Sequence, residues 1–335
     1  MIEPANPVLA EVWRGEILDC VHRGTAVVAS ASGEVVEAWG DPARVVLPRS
    51  SCKMIQALPL VESGAADAAG LGAEHLALAC ASHQGAGLHT GLARRWLAGI
   101  GLAEPDLRCG VHPPNDAETR HRLRVRGTAP DQFHNNCSGK HCGFLTISRH
   151  LGSGPEYVDL EHPVQQAVRL TIEEVTGETA SGVAIDGCSA PNFAVSLKGL
   201  ATAMARFATP GTSFTGARAG AARRLVAAMA AHPVLVAGEG RACTDLIRAC
   251  AGRAVVKTGA AGVFTAILPE RGLGIALKID DGDARGSEAA IAALLARHGA
   301  LERGNPVFTA LADAPVLNCR GFAHGRLRAA DGLIG

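Results

Sequence analysis

Residues 50–58 read Ser-Ser-Cys-Lys-Met-Ile-Gln-Ala-Leu, and this stretch predicts the start of a helix directly after a run of strands. Its apolar residues at 54, 55 and 58 have the spacing of one helical face. Ser50 and Lys53 are three residues apart, so on a helical turn the lysine amine can reach the serine hydroxyl. A neutral lysine can accept the serine proton during attack on a carbonyl carbon. A capping serine followed by a solvated lysine is the alternative, and the spacing alone favours it.

Short β-prone runs lie on both sides of a mainly helical middle that extends from Ser50 to about residue 250. Glycine-containing turns separate the early runs, as in hairpins. Residues 305–335 show no clear periodicity. The predicted strands are Val8–Trp13, Ile17–His22, Thr25–Ser30, Glu34–Trp39, Ala254–Lys257, Val263–Leu268 and Gly274–Ile279, and the later helices are Ala93–Ile100, Val164–Val175, Ala217–Ala231 and Ser287–His298. This order predicts an α/β fold of the α+β type, a single domain over residues 1–335. Its antiparallel sheet comes from N- and C-terminal strands and is covered by the helical middle.

The composition excludes several classes of partner. Net charge is zero and no Lys/Arg-rich run exists, so neither nucleic acid nor an anionic membrane is an expected partner. The first residues lack a basic segment followed by an apolar one, and no apolar stretch is long enough to span a bilayer. We therefore expect a soluble, cytoplasmic protein. Its ten cysteines are expected to be reduced, with packing as the default role for Cys20, Cys80, Cys109, Cys250 and Cys319.

Lysine is rare in this chain, which uses arginine for most of its 32 basic residues. Arginine cannot lose a proton near neutral pH, whereas lysine can when its surroundings lower its pKa. A retained lysine therefore indicates a specific role more often than usual. The five lysines are Lys53, Lys140, Lys198, Lys257 and Lys278.

Lys257-Thr258-Gly259 lies on a predicted late strand. An early Ser-x-x-Lys and a late Lys-Thr-Gly form the two-part signature of penicillin-recognising serine enzymes, although their Ser-Asp-Asn element has no match here. A strand lysine beside the first pair would also help to keep Lys53 neutral. Ser82, in a glycine-flanked stretch, could supply a second hydroxyl. A loop serine bonded to the backbone fits the composition equally well.

Two cysteine-containing stretches could form a metal site. Residues 132–144, Gln-Phe-His-Asn-Asn-Cys-Ser-Gly-Lys-His-Cys-Gly-Phe, predict a tight loop with chemistry at its tip. Cys137 from this loop and Cys188 from the similar stretch 186–193 could bind zinc as thiolates. His141 and Asp186 are further polar candidates for the same site, whereas Cys142 is assigned to packing. Two structural thiols are the alternative.

Taken together, the motifs resemble those of the Rhizobium etli-type L-asparaginases, the bacterial asparaginase II or thermolabile asparaginase family. They occur in the order found in that family and cover the chain from about residue 8 to near its end. The matching stretches are Arg49-Ser50-Ser51-Cys52-Lys53, Cys80-Ala81-Ser82-His83, Asn135-Asn136-Cys137-Ser138-Gly139-Lys140-His141, Asp186-Gly187-Cys188 and Lys257-Thr258-Gly259.

The resemblance implies a fold similar to that of serine β-lactamases and glutaminases, a homodimer, and hydrolysis of L-asparagine to aspartate and ammonia. It implies Ser50 as nucleophile with Lys53 as its base, and a second pair formed by Ser82 and Lys257. It also implies one zinc ion, with substrate held nearby. The implied zinc ligands are Cys137, Lys140 and Cys188, and the implied substrate-binding residues are Arg49, His141, Asp186 and Cys243.

Two positions depart from the family pattern, in which many members have an acidic residue. Ala86 follows Ser82-His83-Gln84-Gly85, and Ala261 follows Gly259-Ala260. These changes leave the implied catalytic residues in place but bear on affinity, rate and substrate preference. Two other functions stay open: a β-lactam-recognising or peptidase-type serine–lysine hydrolase, and a zinc-dependent protein that binds an amino acid without turnover.

Overall fold

The computed structural model describes residues 6–335, which divide into two compact units. The first unit contains the chain up to Ser51, Val195–Thr209 and Asp245–Gly335. The second unit contains Cys52–Ala194 and Pro210–Thr244. The single-domain organisation stays a prediction. Within residues 6–335, no helix combines the length and the apolar character that crossing a membrane requires.

The secondary structure follows the chain as eleven strands and sixteen α-helices in residues 6–335. The strands are β1 Val8–Arg14, β2 Ile17–Ser30, β3 Val35–Trp39, β4 Val45–Val46, β5 Gly182–Ile185, β6 Pro191–Ser196, β7 Val255–Thr258, β8 Val263–Leu268, β9 Leu273–Ile279, β10 Asp313–Leu317 and β11 Ala323–Ala329. The helices are α1 Lys53–Gln56, α2 Leu58–Glu62, α3 Ala65–Ala68, α4 Ala73–Ala79, α5 Gly87–Gly99, α6 Ala117–Val125, α7 Ser138–Leu151, α8 Pro163–Thr176, α9 Leu197–Ala208, α10 Pro210–Ser213, α11 Gly216–Ala231, α12 Pro233–Val236, α13 Ala242–Cys250, α14 Ala284–Arg297, α15 Pro306–Ala312 and α16 Asp331–Ile334. Short 3-10 helices span Arg49–Cys52, Glu104–Asp106 and Gln132–His134.

An antiparallel sheet organises the first unit, with strand order β10-β11-β1-β2-β9-β8-β7 and β3 added beside β2. The first and last strands of the chain are neighbours in it, because Ala10 of β1 pairs with Ala329 of β11. Gly15 and Gly33 have left-handed backbones at two of the three predicted hairpin turns. The predicted fold class, with an antiparallel sheet built from N- and C-terminal strands, is confirmed.

Helices α9 and α14 cover opposite faces of this sheet. A Cβ on Gly274 of β9 would lie 2.1 Å from the Ala201 carbonyl oxygen of α9. A Cβ on Gly286 of α14 would lie 2.7 Å from His22 Cβ of β2. Gly274 pairs with Ala29 in β2, and alternation along that strand points Ala29 and His22 to opposite faces. The other helices of the predicted middle region belong mainly to the second unit.

The predicted break between two strands at Arg23-Gly24 is wrong, because β2 runs unbroken from Ile17 to Ser30. Gly24 lies against β9, where an added Cβ would be 2.3 Å from the Lys278 carbonyl oxygen. The glycine therefore allows a close approach of two backbones. In the sequence, such a glycine cannot be distinguished from one that makes a turn.

Residues 305–335 contain strands that the periodicity did not reveal. β11 buries only Leu327 and Ala329, and the two arginines that flank Leu327, Arg326 and Arg328, form ion pairs with Asp313 and Glu11. β10 lies at the sheet edge, where Pro315 needs no amide hydrogen for a neighbouring strand. Too few apolar side chains alternate here to produce a strand pattern.

Helices pack closely around α7 in the second unit. Gly139 of α7 sits against α4, since an added Cβ would be 2.2 Å from the Leu78 carbonyl oxygen. Trp96 of α5 donates a 3.0 Å hydrogen bond to Thr146 of α7.

The helices predicted around residues 93–100, 164–175, 217–231 and 287–298 are all present, although α5 begins earlier, at Gly87.

The predicted packing of cysteines is correct for most of the positions. Cys80, Cys109 and Cys250 are buried, Cys20 is half-buried and Cys319 is exposed, so packing is the wrong role for Cys319. Cys142 is fully buried, with its sulfur 3.9 Å from the Ala93 carbonyl oxygen. None of the ten cysteines, which all lie within residues 6–335, forms a disulfide bond.

Candidate active site

The segment that carries Ser50 is a 3-10 turn, and the α-helix begins only at Lys53. A capped α-helix starting at Ser50 is therefore a wrong prediction, since Cys52 is the N-terminal flanking residue and makes no side-chain cap. Arg49 has a left-handed backbone, with φ of 55°, which is costly for a residue other than glycine. Ser50 is half-buried directly after it.

Lys257 and Gly259 lie beside this segment within the first unit. A Cβ on Gly259 would be 2.8 Å from the Pro48 carbonyl oxygen and 3.1 Å from the Ser51 amide nitrogen. Thr265 donates hydrogen bonds to the carbonyl oxygens of Ser51 and Lys257, at 3.0 and 3.3 Å. The Lys257 amine is buried and donates to the Thr258 carbonyl oxygen at 2.7 Å. Lys257-Thr258-Gly259 therefore ends β7 as predicted, and its glycine permits a backbone contact.

Lys53 forms the centre of a buried polar cluster in the second unit. Its side chain is only 1% exposed, and Nζ donates to Ser82 Oγ at 3.1 Å, to Cys137 Sγ at 3.2 Å and to the Ala81 carbonyl oxygen. The Ser82 amide is fixed in turn by a 2.9 Å hydrogen bond to the Val236 carbonyl oxygen. The solvated lysine of the simpler interpretation is excluded.

The loop predicted over residues 132–144 is largely helical. A 3-10 turn covers Gln132–His134, and α7 begins at Ser138, so Lys140 and His141 occupy the first turn of a helix. Cys137 flanks the start of α7 without a side-chain cap. Lys140 Nζ donates to Cys188 Sγ at 3.1 Å.

Cys188 reaches the cluster from a tight turn between β5 and β6. The Asp186 amide donates to the Ala190 carbonyl oxygen at 2.9 Å, and Ser189 has a left-handed backbone with φ of 68°. Asp186 is half-buried, and its carboxylate accepts a 3.1 Å hydrogen bond from the Gly187 amide. Cys243 is buried on α13 in the same unit.

The pKa values of three neighbouring side chains, Cys137, Cys188 and Lys140, are shifted from their ordinary values. The hydrogen bond from Cys137, with the charge of Lys140, outweighs burial and holds the pKa of Cys188 well below its ordinary value. The same hydrogen bond, together with burial, raises the pKa of Cys137 to about 12. Burial would lower the pKa of Lys140, but the charges of Cys188 and Cys137 raise it. These shifts favour negative charge on Cys188 beside the positive charge of Lys140.

The same three side chains fit a zinc ion by donor type. Thiolate sulfur is a preferred zinc ligand, and a lysine amine can bind only after losing its proton. No group of three or more His, Cys, Asp or Glu side chains within residues 6–335 is placed to hold a metal ion.

The profile of the L-asparaginase II family matches residues 10–329, nearly the whole chain. The chain belongs to the L-asparaginase II family. Membership supports an amidohydrolase of the asparaginase type acting on a small-molecule substrate. No curated protein gives a significant match.

Solved structures with similar folds are distant from this L-asparaginase II family member. Mglu in its native form is 18% identical, with a TM-score of 0.45 over 85% of this chain and 66% of Mglu. Mglu in its tris and glutamate form is 16% identical, with a TM-score of 0.47 over 90% and 64%. A β-lactamase from Mycobacterium bovis is 14% identical, with a TM-score of 0.44 over 82% and 94%. The chain thus covers less than two thirds of the length of Mglu.

Two polar side chains of the second unit lie close to the predicted residues and were missed from the sequence. His83 Nε2 contacts Ser138 Oγ at 3.0 Å at the start of α7, and burial, followed by neighbouring His89, lowers its pKa well below the ordinary value. Tyr157 Oη contacts His141 Nδ1 at 2.9 Å. Tyr157 is the one tyrosine of the chain, and that rarity was the available signal.

Proposed function

We propose that this protein hydrolyses L-asparagine to L-aspartate and ammonia. The observation that carries the proposal is the 3.1 Å hydrogen bond between Lys53 Nζ and Ser82 Oγ in a buried cluster of an L-asparaginase II family member. A lysine amine within hydrogen-bond reach of a serine hydroxyl is the arrangement that serine–lysine catalysis requires.

In the proposed mechanism, Ser50 attacks the side-chain amide carbon while neutral Lys53 accepts the serine proton. Collapse of the tetrahedral intermediate breaks the C–N bond, and the protonated lysine returns the proton to the departing ammonia. Water then hydrolyses the acyl-enzyme and releases aspartate. Backbone amides near the serine would stabilise the oxyanion, each contributing roughly 3–4 kcal/mol. The resemblance supports Ser82 and Lys257 as a second pair.

Lys53 is suited to serve more than one hydroxyl. Its three hydrogen-bond acceptors, Ser82, Cys137 and the Ala81 carbonyl oxygen, match the three N–H groups of an ammonium form. Once neutral, the amine has a lone pair that can accept a proton from serine.

We further propose one zinc ion held by Cys137, Lys140 and Cys188, beside the residues that bind substrate. Zinc would supply a positive charge that holds an anionic substrate group. Arg49, His141, Asp186 and Cys243 are the proposed substrate-binding residues. Metal analysis of protein purified without added zinc should give about one zinc per chain, and the Cys188→Ala variant should have much less. Equal zinc in both proteins would remove Cys188 from the ligand set.

The assembly and cellular location complete the proposal: a homodimer that acts in the cytoplasm. Sedimentation of the purified protein would measure the first, and fractionation of cells would measure the second. A monomer at micromolar concentration would contradict the proposed dimer.

Replacing Ser50 by alanine tests the proposed reaction directly. Ammonia release from asparagine should fall by about 10³-fold or more, because loss of a nucleophile removes the covalent route. Ser51→Ala is the matched control, since the Ser51 hydroxyl donates to the Pro48 carbonyl oxygen at 2.7 Å. Near-normal ammonia release by folded Ser50→Ala would refute the assignment. Labelling of the wild-type protein by a penicillin, without ammonia release, would indicate a β-lactam-recognising enzyme instead.

A further inference from the structure

The two ring nitrogens of His141 have different surroundings. Nδ1 lies 2.9 Å from Tyr157 Oη, and that oxygen accepts a 2.7 Å hydrogen bond from the Arg108 amide. Both side chains are completely buried. Nε2 is also buried, and within the described part of the chain it has no hydrogen-bond partner. A buried nitrogen without a hydrogen-bond partner costs free energy unless a bound molecule supplies the partner.

These contacts determine which nitrogen carries hydrogen. A tyrosine hydroxyl has one proton to donate, and the acceptor within reach of Tyr157 is His141 Nδ1. A hydrogen on Nδ1 would leave the tyrosine proton and the Nε2 lone pair both unpaired. The arrangement with fewer unpaired groups has Nδ1 as acceptor and hydrogen on Nε2. The free group is therefore an N–H donor.

Tyr157 is itself held firmly in place. Its carbonyl oxygen accepts a 2.7 Å hydrogen bond from Gln165, and its ring meets the His141 ring edge-on with centroids 5.5 Å apart. His141 lies one helical turn after Cys137 and donates its amide to the Cys137 carbonyl oxygen. The His141 ring is therefore held by Tyr157 on one side and by the backbone of α7 on the other. These two contacts fix the direction of its Nε2–H bond.

We infer that Tyr157 is a positioning residue that fixes His141 as an Nε2–H donor for a carboxylate oxygen of the amino-acid substrate. The inference rests on the proposed function for its substrate class, but the tautomer can be measured without turnover. A carboxylate oxygen only accepts hydrogen bonds, so it can pair with the buried Nε2–H group without needing a proton of its own.

Nitrogen NMR of ¹⁵N-histidine-labelled protein tests the tautomer. His141→Gln identifies the His141 signals among the 13 histidines. In the wild type, Nε2 should appear protonated and Nδ1 unprotonated, and Tyr157→Phe should weaken this preference or broaden the signals. Hydrogen on Nδ1 in the wild type would overturn the inference.

Ligand addition tests the donor role. L-Aspartate should shift the Nε2 signal, whereas L-alaninamide, which has no carboxylate, should leave it in place. Equal shifts with both probes, or a shift with neither, would overturn the carboxylate assignment.

Kinetics separate positioning from a general structural defect. Tyr157→Phe should raise KM for asparagine about tenfold, the value of one hydrogen bond to a charged group, with kcat changed less than about twofold. Thr146→Val is the matched control, because it also removes a buried hydroxyl that accepts an N–H group, here from Trp96. Equal effects in the two variants would assign Tyr157 a structural role only.

The proposed reaction and this inference can fail independently. Ammonia release with an unchanged Nε2 signal on aspartate addition would overturn the inference alone. A protonated Nε2 that shifts with aspartate, in a protein that releases no ammonia, would support the inference and refute the proposed reaction.

Discussion

Two helix starts in the second unit have a flanking cysteine and a buried lysine within the first turn, with different chemical results. α1 begins at Lys53 after Cys52, and α7 carries Lys140 three residues after Cys137. Neither flanking cysteine makes a side-chain cap, and both have φ near −100°. The two backbones therefore resemble each other, and the difference lies in what each lysine contacts.

Lys53 contacts neutral groups, whereas Lys140 contacts a thiolate. The acceptors of Lys53 are a hydroxyl, a carbonyl oxygen and the Cys137 sulfur, whose pKa is raised, whereas Lys140 contacts Cys188, whose pKa is lowered. An adjacent anion favours the charged form of an amine, and a neutral partner does so much less. The comparison therefore separates the two lysines by contact: Lys140 holds the Cys188 sulfur, whereas Lys53 is within hydrogen-bond reach of a serine hydroxyl.

The largest expected difference is in turnover. Lys53→Met should lower kcat for ammonia release by about 10²–10⁴-fold, the contribution typical of a general base. Lys198→Met, at an exposed position, controls for loss of one lysine. The assignment of Lys53 as base fails if Lys53→Met keeps more than about a tenth of the wild-type kcat.

The next difference is in stability after zinc has been removed by a chelator. Lys140→Met leaves the Cys188 thiolate buried without its cation and should cost about 3–5 kcal/mol of unfolding free energy, measured in urea. Lys53→Met should cost less, because its partners are neutral. The double variant Lys140→Met/Cys188→Ala should recover much of the loss. Additive losses in the double variant would show that the two side chains are not coupled.

The sequence predicted the sheet well because local patterns determine most of it. Alternating apolar residues and the turn glycines Gly15 and Gly33 fixed the early strands, and Lys257 was placed correctly at the end of β7. Gly24 was misinterpreted because a glycine that admits a neighbouring backbone looks like one that makes a turn. The surface strand β11 has too few buried side chains to be recognised.

The sequence indicated which residues belong to the candidate site more successfully than it indicated which of them contact each other. Scarcity of lysine pointed to Lys53 and Lys140, and both are buried in one polar cluster. The Lys53–Ser82 hydrogen bond joins residues 29 apart, which spacing along a helix cannot predict. Residues 132–144 were assigned to a loop because their small polar residues favour turns. Such residues also suit the start of a helix, which is what the structure has here. Tyr157 acts through His141 and has no motif of its own.

Acid should weaken the start of α7 through His83, which contacts Ser138 as a neutral ring. Because the pKa of His83 is depressed in the folded state, its contribution to stability is complete above about pH 6.5 and is lost as pH falls towards the folded pKa. His83→Gln keeps a nitrogen donor but cannot titrate. Its unfolding free energy should fall less steeply below pH 6.5, by up to about 1.4 kcal/mol per pH unit. Identical slopes in urea titrations of both proteins would contradict a neutral His83.

The smallest effect concerns a helix start that lacks a cap. Ala86 flanks α5 with an extended backbone and no side-chain hydrogen bond, whereas Asp116 caps α6 by accepting the Thr119 amide at 2.8 Å. Ala86→Asp could accept the His89 amide in the same way and should add about 1 kcal/mol to the unfolding free energy. Ala86→Asn separates the cap from the charge, since both side chains can accept this hydrogen bond. A gain in stability with both, together with a change in KM for asparagine only with aspartate, would show that the acidic residue common in the family acts on substrate as well as on the helix. Loss of stability with both would mean that the buried position of Ala86 cannot hold a larger side chain.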